Sequence, residues 1–253
     1  MSRIIAVCNQ KGGVGKTTTN VNLAACLALA GKRVLAADLD PQGNTTSGFG
    51  VDKHSLEQTV YDLLIGEGDF DRTALNIHGL TLLPANIDLS GAEIELIDLP
   101  EREFRLDKVF EPVKAQYDFI LIDCPPSLNL LTLNALCAAD TVLVPIQCEY
   151  YALEGLTQLM RTINLVQQKL NPRLVIEGVA FTMYDSRTNL AAQVIEEVKH
   201  HIGSDTYKVI IPRNVRLSEA PSHGLPIILY APASKGAEAY IDLANEVMQR
   251  RAS

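Results

Sequence analysis

Short apolar runs, each closed by glycine, proline or an acid, alternate along the chain with stretches of helical spacing. Ile4-Ile5-Ala6-Val7 is the first run. A helical pattern from Thr17 to Ala30 follows, with Leu23, Leu27 and Ala30 placed to face a sheet and Gly31 as its stop. Arg33–Ala37 is the next strand, so strand, helix and strand fall within about 35 residues and predict a right-handed βαβ unit. Gly43–Asp52, rich in glycine, serine and threonine, reads as a mobile loop. Segments near 55–65 and 101–115 read as helices and Leu80–Pro84 as a strand, while 88–99 stays ambiguous. Tyr117–Asp123 holds four consecutive apolar residues, which suits a central parallel strand covered on both faces, and Cys124-Pro125-Pro126 ends it. Asp140–Pro145, Leu174–Met183 and Tyr207–Ile211 are further strands. Helices are expected over 152–170, from Leu190 onward (Leu190, Val194, Val198 and Ile202 on one face), and over 235–250; Leu153, Leu156, Met160 and Ile163 form a core stripe on the first. The alternation predicts an α/β fold: a mostly parallel, twisted central sheet with helices on both faces. No repeat, linker or low-complexity tract divides the chain, so one domain over 1–253 is expected.

Composition narrows this little. An apolar share of 47% and a charged share of 21% are those of an ordinary soluble globule. No apolar run approaches the roughly 18 residues that a membrane span needs, and Met1-Ser2-Arg3 runs straight into a strand rather than into a signal peptide. Charge changes the picture more. With 30 acidic and 22 basic side chains the net charge is −8, so the average surface repels nucleic acid and anionic lipid. Any DNA binding must come from a local basic patch and must be sensitive to salt. Five cysteines without CxxC spacing read as reduced thiols of a cytosolic protein.

The chemistry centres on Lys11-Gly12-Gly13-Val14-Gly15-Lys16-Thr17-Thr18, set between the first strand and the first helix. Glycines let backbone N–H groups converge on phosphate oxygens, and the helix N-terminus adds attraction. In such a cradle Lys16 reaches the β- and γ-phosphates and the Thr17 hydroxyl sits on Mg²⁺. Where the usual pattern has a glycine six residues before that lysine, this chain has Gln10, and it carries the second lysine, Lys11. A glycine-rich turn without a ligand is the alternative. Ligands of parallel sheets lie beyond the carboxyl ends of the strands, which points Asp38 and Asp40 toward those phosphates. Asp123, also at a strand end, reads alone equally well as the cap of the following turn; beside this loop it reads as the carboxylate of a Mg²⁺ site. Arg187 and Arg216 stand on loops, where isolated arginines are usually just solvated, although guanidinium groups suit phosphate contacts.

The motifs KGGVGKTT, DLDPQGN, FILIDCPPS, TMYDSRTN and IPRNVRLSEAPSHG resemble those of the ParA/Soj chromosome-partitioning ATPases, P-loop NTPases with a deviant Walker A loop. The cell-division regulator MinD and the nitrogenase iron protein belong to the same class. The resemblance runs from Ile4 to the final helix. It implies a P-loop NTPase three-layer sandwich, an ATPase slow on its own, and ATP with Mg²⁺ as cofactors. It implies a homodimer sandwiching ATP, in which Lys11 reaches the phosphates of the other subunit and Gly12 must stay small. Asp40 takes the place of the switch carboxylate that orients the attacking water, Asp123 that of the Mg²⁺ acid, and Pro212, Arg213 and Asn214 that of the adenine pocket. Arg187 and Arg216 match positions that bind duplex DNA without sequence preference, and a ParB-like centromere-binding protein is the implied partner. The implied place is the cytoplasm, in association with the nucleoid. No N-terminal helix-turn-helix module is expected. A MinD-like membrane-cycling regulator is the alternative, but Ala239–Arg251 is short and weakly basic, so packing on the sheet is expected instead and no membrane partner. Cys124 reads as a small buried residue rather than a cluster ligand.

Overall fold

A strand made of an unbroken apolar run has no polar face for solvent and must be covered on both sides. The computed structural model, which describes residues 2–149 and 152–250, places such runs in the middle of an eight-stranded sheet. Its strands are β1 (Arg3–Val7), β2 (Val34–Asp38), β3 (Leu75–Ile77), β4 (Leu80–Leu83), β5 (Phe119–Asp123), β6 (Thr141–Gln147), β7 (Val175–Tyr184) and β8 (Thr206–Pro212). The order is β3-β4-β2-β5-β1-β6-β7-β8, parallel throughout except for the β3–β4 pair.

The helices are α1 (Lys16–Leu29), α2 (Asn44–Gly48), α3 (Val60–Ile65), α4 (Phe70–Thr73), α5 (Leu89–Glu95) and α6 (Arg105–Phe110) in the first half. The second half adds α7 (Leu130–Ala138), α8 (Ala152–Lys169), α9 (Asn189–Ile202), α10 (Val215–Glu219), α11 (Ile227–Tyr230) and α12 (Lys235–Gln249). Pleating sends alternate residues to opposite faces. Ile5 and Val7 therefore pack under α1 and α12 with Leu23, Leu27, Tyr240, Leu243 and Val247. Ile4 and Ala6 pack under α3 and α5–α9 with Leu64, Phe110, Leu159 and Val198. The result is a three-layer α/β sandwich. Leu156 and Ile163 of α8 are buried as the stripe required.

Several expected boundaries move, each for a local reason. Gly43–Asp52 is not an open loop, because it contains α2. The helix near 55–65 starts only at Val60, where Thr59 and Asp62 form a capping box. The 101–115 segment is interrupted: Glu101 adopts φ 52°, and α6 lies between two 3₁₀ turns. The ambiguous stretch at 88–99 is α5 followed by a 3₁₀ turn. Asn214 starts α10 inside what reads as a loop, its side chain accepting from the Arg216 N–H. Ala30 is exposed just past the end of α1, and Leu190, in the first turn of α9, is 44% exposed. Arg251 lies outside the described residues.

Candidate functional site

β1 lies between β5 and β6, where the strand order reverses and a doubly covered sheet opens a crevice at its carboxyl edge. The loop leaving β1 crosses that crevice. Gly13 and Gly15 take φ values of 75° and 89°, and Gly15 is the N-cap of α1. A Cβ at Gly12 or Gly13 would meet nothing within 4 Å, so the outer side of the loop is bare backbone. Its flanks are anchored. The Lys11 N–H donates to Asn9 Oδ1 (3.0 Å), Asn9 Nδ2 donates to the Pro145 carbonyl (2.7 Å), and Thr182 Oγ1 donates to the Val14 carbonyl (2.8 Å).

The two lysines occupy different environments. Lys16 is buried, and its Nζ donates to the Lys11 carbonyl at 3.2 Å. A buried ammonium with a neutral acceptor gains strongly from an anion. Lys11 turns away from the cradle, its Nζ 2.9 Å from the Glu149 carboxylate.

Asp38 and Asp123 are register neighbours at the ends of β2 and β5, both with no exposed surface. α2 holds them. Thr46 donates to Asp38 Oδ2 from its N–H and its Oγ1, each at 2.8 Å, and the Asp40 N–H donates to Asp38 Oδ1 (3.2 Å). Thr45 Oγ1 donates to Asp123 Oδ2 (2.9 Å), whereas Asp123 Oδ1 is buried without a partner among the described residues. Burial pushes both carboxyls above the ordinary carboxylate range; the Asp123 charge adds to the rise at Asp38, while at Asp123 the nearby Thr17 hydroxyl, outside hydrogen-bond geometry, and the Thr45 bond oppose it. An orphaned, fully buried carboxylate oxygen behind a lysine-bearing glycine loop is what a hard cation with a phosphate ligand would complete. The residues present thus fit Mg²⁺ and a nucleotide. Asp38 has its oxygens engaged, but Asp40 lines the open cavity with Gln42, whose N–H donates to Asp40 Oδ1 (2.9 Å).

That cavity measures about 620 Å³, with Gly12, Gly13, Gly15, Lys16, Thr17 and Thr18 along one wall. A second cavity of about 450 Å³ adjoins it and is lined by Pro212, Arg213 and Asn214. Gly15, Thr18 and Met183 line both. The sequence-predicted phosphate and base residues are therefore neighbours along one continuous surface. Val14 is buried beneath the loop, and Asp123 lies behind the wall rather than on it.

Other residues escaped the sequence reading. Met183 takes φ 52°, a left-handed backbone in a non-glycine residue, where the two cavities meet. Tyr240 of α12 lines the second cavity, and Ser90, Glu93 and Asn129 line the first. Met183 stands in the TMYDSRTN segment without a role read for it, and the other four belong to no motif. Thr45 and Thr46 follow DPQGN directly and were within reach as hydroxyls adjoining an acidic strand end.

Arg187 and Arg216 are not part of either cavity wall. Their side chains are 84% and 58% exposed, and each is ion-paired within its own segment. Arg187 Nε and Nη2 fork onto Asp185 at 2.8 and 2.6 Å, and Arg216 Nη1 reaches Glu219 Oε2 at 2.7 Å. Partners two and three residues away were legible as spacings.

Residues 2–176 match the model of the AAA domain family. The chain is 61% identical over 249 residues to the sporulation initiation inhibitor protein Soj of Bacillus subtilis, covering 98% of each chain. It is 54% identical over 252 residues to the chromosome partitioning protein ParA of Myxococcus xanthus, covering 99% of this chain and 89% of that one. Among solved structures, the cobyrinic acid a,c-diamide synthase of Mycobacterium smegmatis with bound ADP and magnesium superposes with a TM-score of 0.87 at 41% identity. That match covers 98% of this chain and 95% of the other.

Proposed function

We propose, given that this chain belongs to the ParA/Soj family of chromosome-partitioning ATPases, that it is an ATP-dependent dimerising switch for DNA segregation, built as one domain over 1–253. The observation that carries the reading is the buried Oδ1 of Asp123, unpaired among the described residues, behind a glycine loop whose Lys16 Nζ meets no acceptor among them but the Lys11 carbonyl. ATP is the substrate. The bare N–H groups from Gly12 to Lys16 bind its phosphates, Lys16 holds the β- and γ-oxygens, and Pro212, Arg213 and Asn214 receive the base. Thr17 and Asp123 hold Mg²⁺, with Asp40 close by; when bound, the ion neutralises charge on the phosphates. Asp40, fixed by the Gln42 N–H, orients the attacking water. Lys11 of the partner subunit supplies positive charge to the transferring phosphoryl group, a role worth roughly 10³–10⁵ in rate where an arginine plays it.

In the dimer Arg187 and Arg216 of both subunits face duplex DNA, and two weak half-sites together give useful avidity. Hydrolysis, slow alone and stimulated by a ParB-like centromere-binding protein and by DNA, dissolves the pair. The working place is the cytoplasm, on the nucleoid. No helix among the described residues is long and apolar enough to cross a membrane. The apolar face of α12, which a MinD-like anchor would need, is buried on the sheet through Tyr240, Leu243 and Val247.

The test is sedimentation with Mg²⁺ and a non-hydrolysable ATP analogue. Wild type should be a dimer and Lys11→Ala a monomer, while Asp40→Ala should dimerise with ATP and lose about 100-fold or more in single-turnover hydrolysis. A wild type that stays monomeric with the analogue would overturn the reading.

A further inference from the structure

Both arginines placed on the DNA face already hold an anion. Arg187 closes a two-point fork on Asp185, the geometry in which guanidinium also grips a phosphate. Arg216 is paired with Glu219, and the Tyr230 hydroxyl donates to the same Glu219 oxygen at 3.2 Å, fixing the carboxylate in place. We propose that Asp185 and Glu219 are internal phosphate mimics that occupy Arg187 and Arg216 and keep a single subunit off duplex DNA until two subunits present their arginines together. The inference rests on the reading of Arg187 and Arg216 as DNA contacts and adds what regulates them.

Magnitudes support it. Exposed ion pairs are weak, so each arginine can be drawn away by a phosphate polyanion. The carboxylate it leaves stays a few ångströms from the incoming phosphate, with its charge uncompensated. At roughly 7 Å in water one like charge lowers affinity about two- to three-fold, and less with salt. Four such carboxylates in a dimer multiply to roughly ten-fold or more. The two in a single subunit give roughly four- to nine-fold, and on a chain of net charge −8 that penalty falls on a half-site that has no second one to support it.

A purely local role is the competing account. Asp185 Oδ1 also accepts the Arg187 N–H at 3.1 Å, bracing the turn before α9, and the Arg216–Glu219 pair spans one turn of α10. Asparagine and glutamine separate the two accounts. Each keeps one acceptor oxygen for the local backbone and side-chain bonds, while it removes the charge and turns the other oxygen into an NH2 donor that cannot hold an arginine fork. The experiment measures fluorescence anisotropy of a short labelled duplex at about 50 and 150 mM salt. It compares wild type, Asp185→Asn, Glu219→Gln and the double variant, each with Mg²⁺-ADP and with a non-hydrolysable ATP analogue. The double variant should bind about ten-fold more tightly than wild type with the analogue and should bind with ADP, where wild type does not. Each single variant should fall between, which keeps the test decisive if the double variant does not fold. If wild type binds with the analogue and the variants match it in both nucleotide states, the inference fails while the DNA reading stands. If wild type with the analogue binds no DNA, both fail.

Discussion

Thr46 Oγ1 sits between two buried groups, donating to Asp38 and accepting from the Ala85 N–H at 2.9 Å. Valine at this position keeps the shape and strips both bonds. Thr46→Val should therefore cost about 2–4 kcal/mol of unfolding free energy, measured by denaturant titration, because two buried polar groups lose a partner at once. Thiol chemistry gives a second check at this scale. Burial pushes Cys26 and Cys137 up to about 12 and Cys148 to about 11, and Cys8 and Cys124 are 2% and 1% exposed. The thiolate is the reactive form, and its population falls ten-fold for each pH unit below the pKa. At pH 8 an aromatic disulfide reagent should label none of the five in the native protein and all five after guanidinium is added.

At the scale of elements, α2 decides the shape of the site, and it is also where the sequence misleads. Gly43-Asn44-Thr45-Thr46-Ser47-Gly48 has the composition of a loop. It folds as a helix because its two threonines reach the acids at the ends of β2 and β5, a tertiary contact that local propensity cannot register. Gly43 makes the turn into it with φ 60°, and a Cβ there would stand 2.7 Å from the Ala85 carbonyl oxygen. Gly43→Ala should cost about 2 kcal/mol or more and weaken Mg²⁺-ATP binding through the displaced threonines, readable by thermal melting and by titration calorimetry.

The strands and the lysine-bearing loop were legible because unbroken apolar runs and fixed glycine spacing are local signals. β3 has three residues, too few to show a period. Met183 and Tyr240 join the cavity wall only through the fold: no motif marks Tyr240, and TMYDSRTN contains Met183 without signalling its left-handed backbone. The ion pairs of Arg187 and Arg216 were within reach, at two and three residues' separation, yet only the folded geometry shows the fork closed.

Across the whole molecule, the first strand is tied to the far end of α12. Arg3 of β1 donates to the carbonyls of Val247 and Arg250 and pairs with the buried Glu177 at 3.2 Å. Arg250 in turn lies 3.9 Å over the Tyr207 ring and donates to the Glu177 carbonyl (2.7 Å). Removing one member leaves a buried charge unpaired, which costs about 3–5 kcal/mol. Arg3→Ala should show that loss in denaturant unfolding, and Arg3→Lys should recover only part of it, since a single ammonium cannot reproduce the planar fork.

α12 thus both ends at this clasp and offers Tyr240 to the second cavity. Clasp and cavity wall therefore ride on one rigid rod, so that slackening the seam between the first strand and α12 should also unsettle the wall to which Tyr240 contributes.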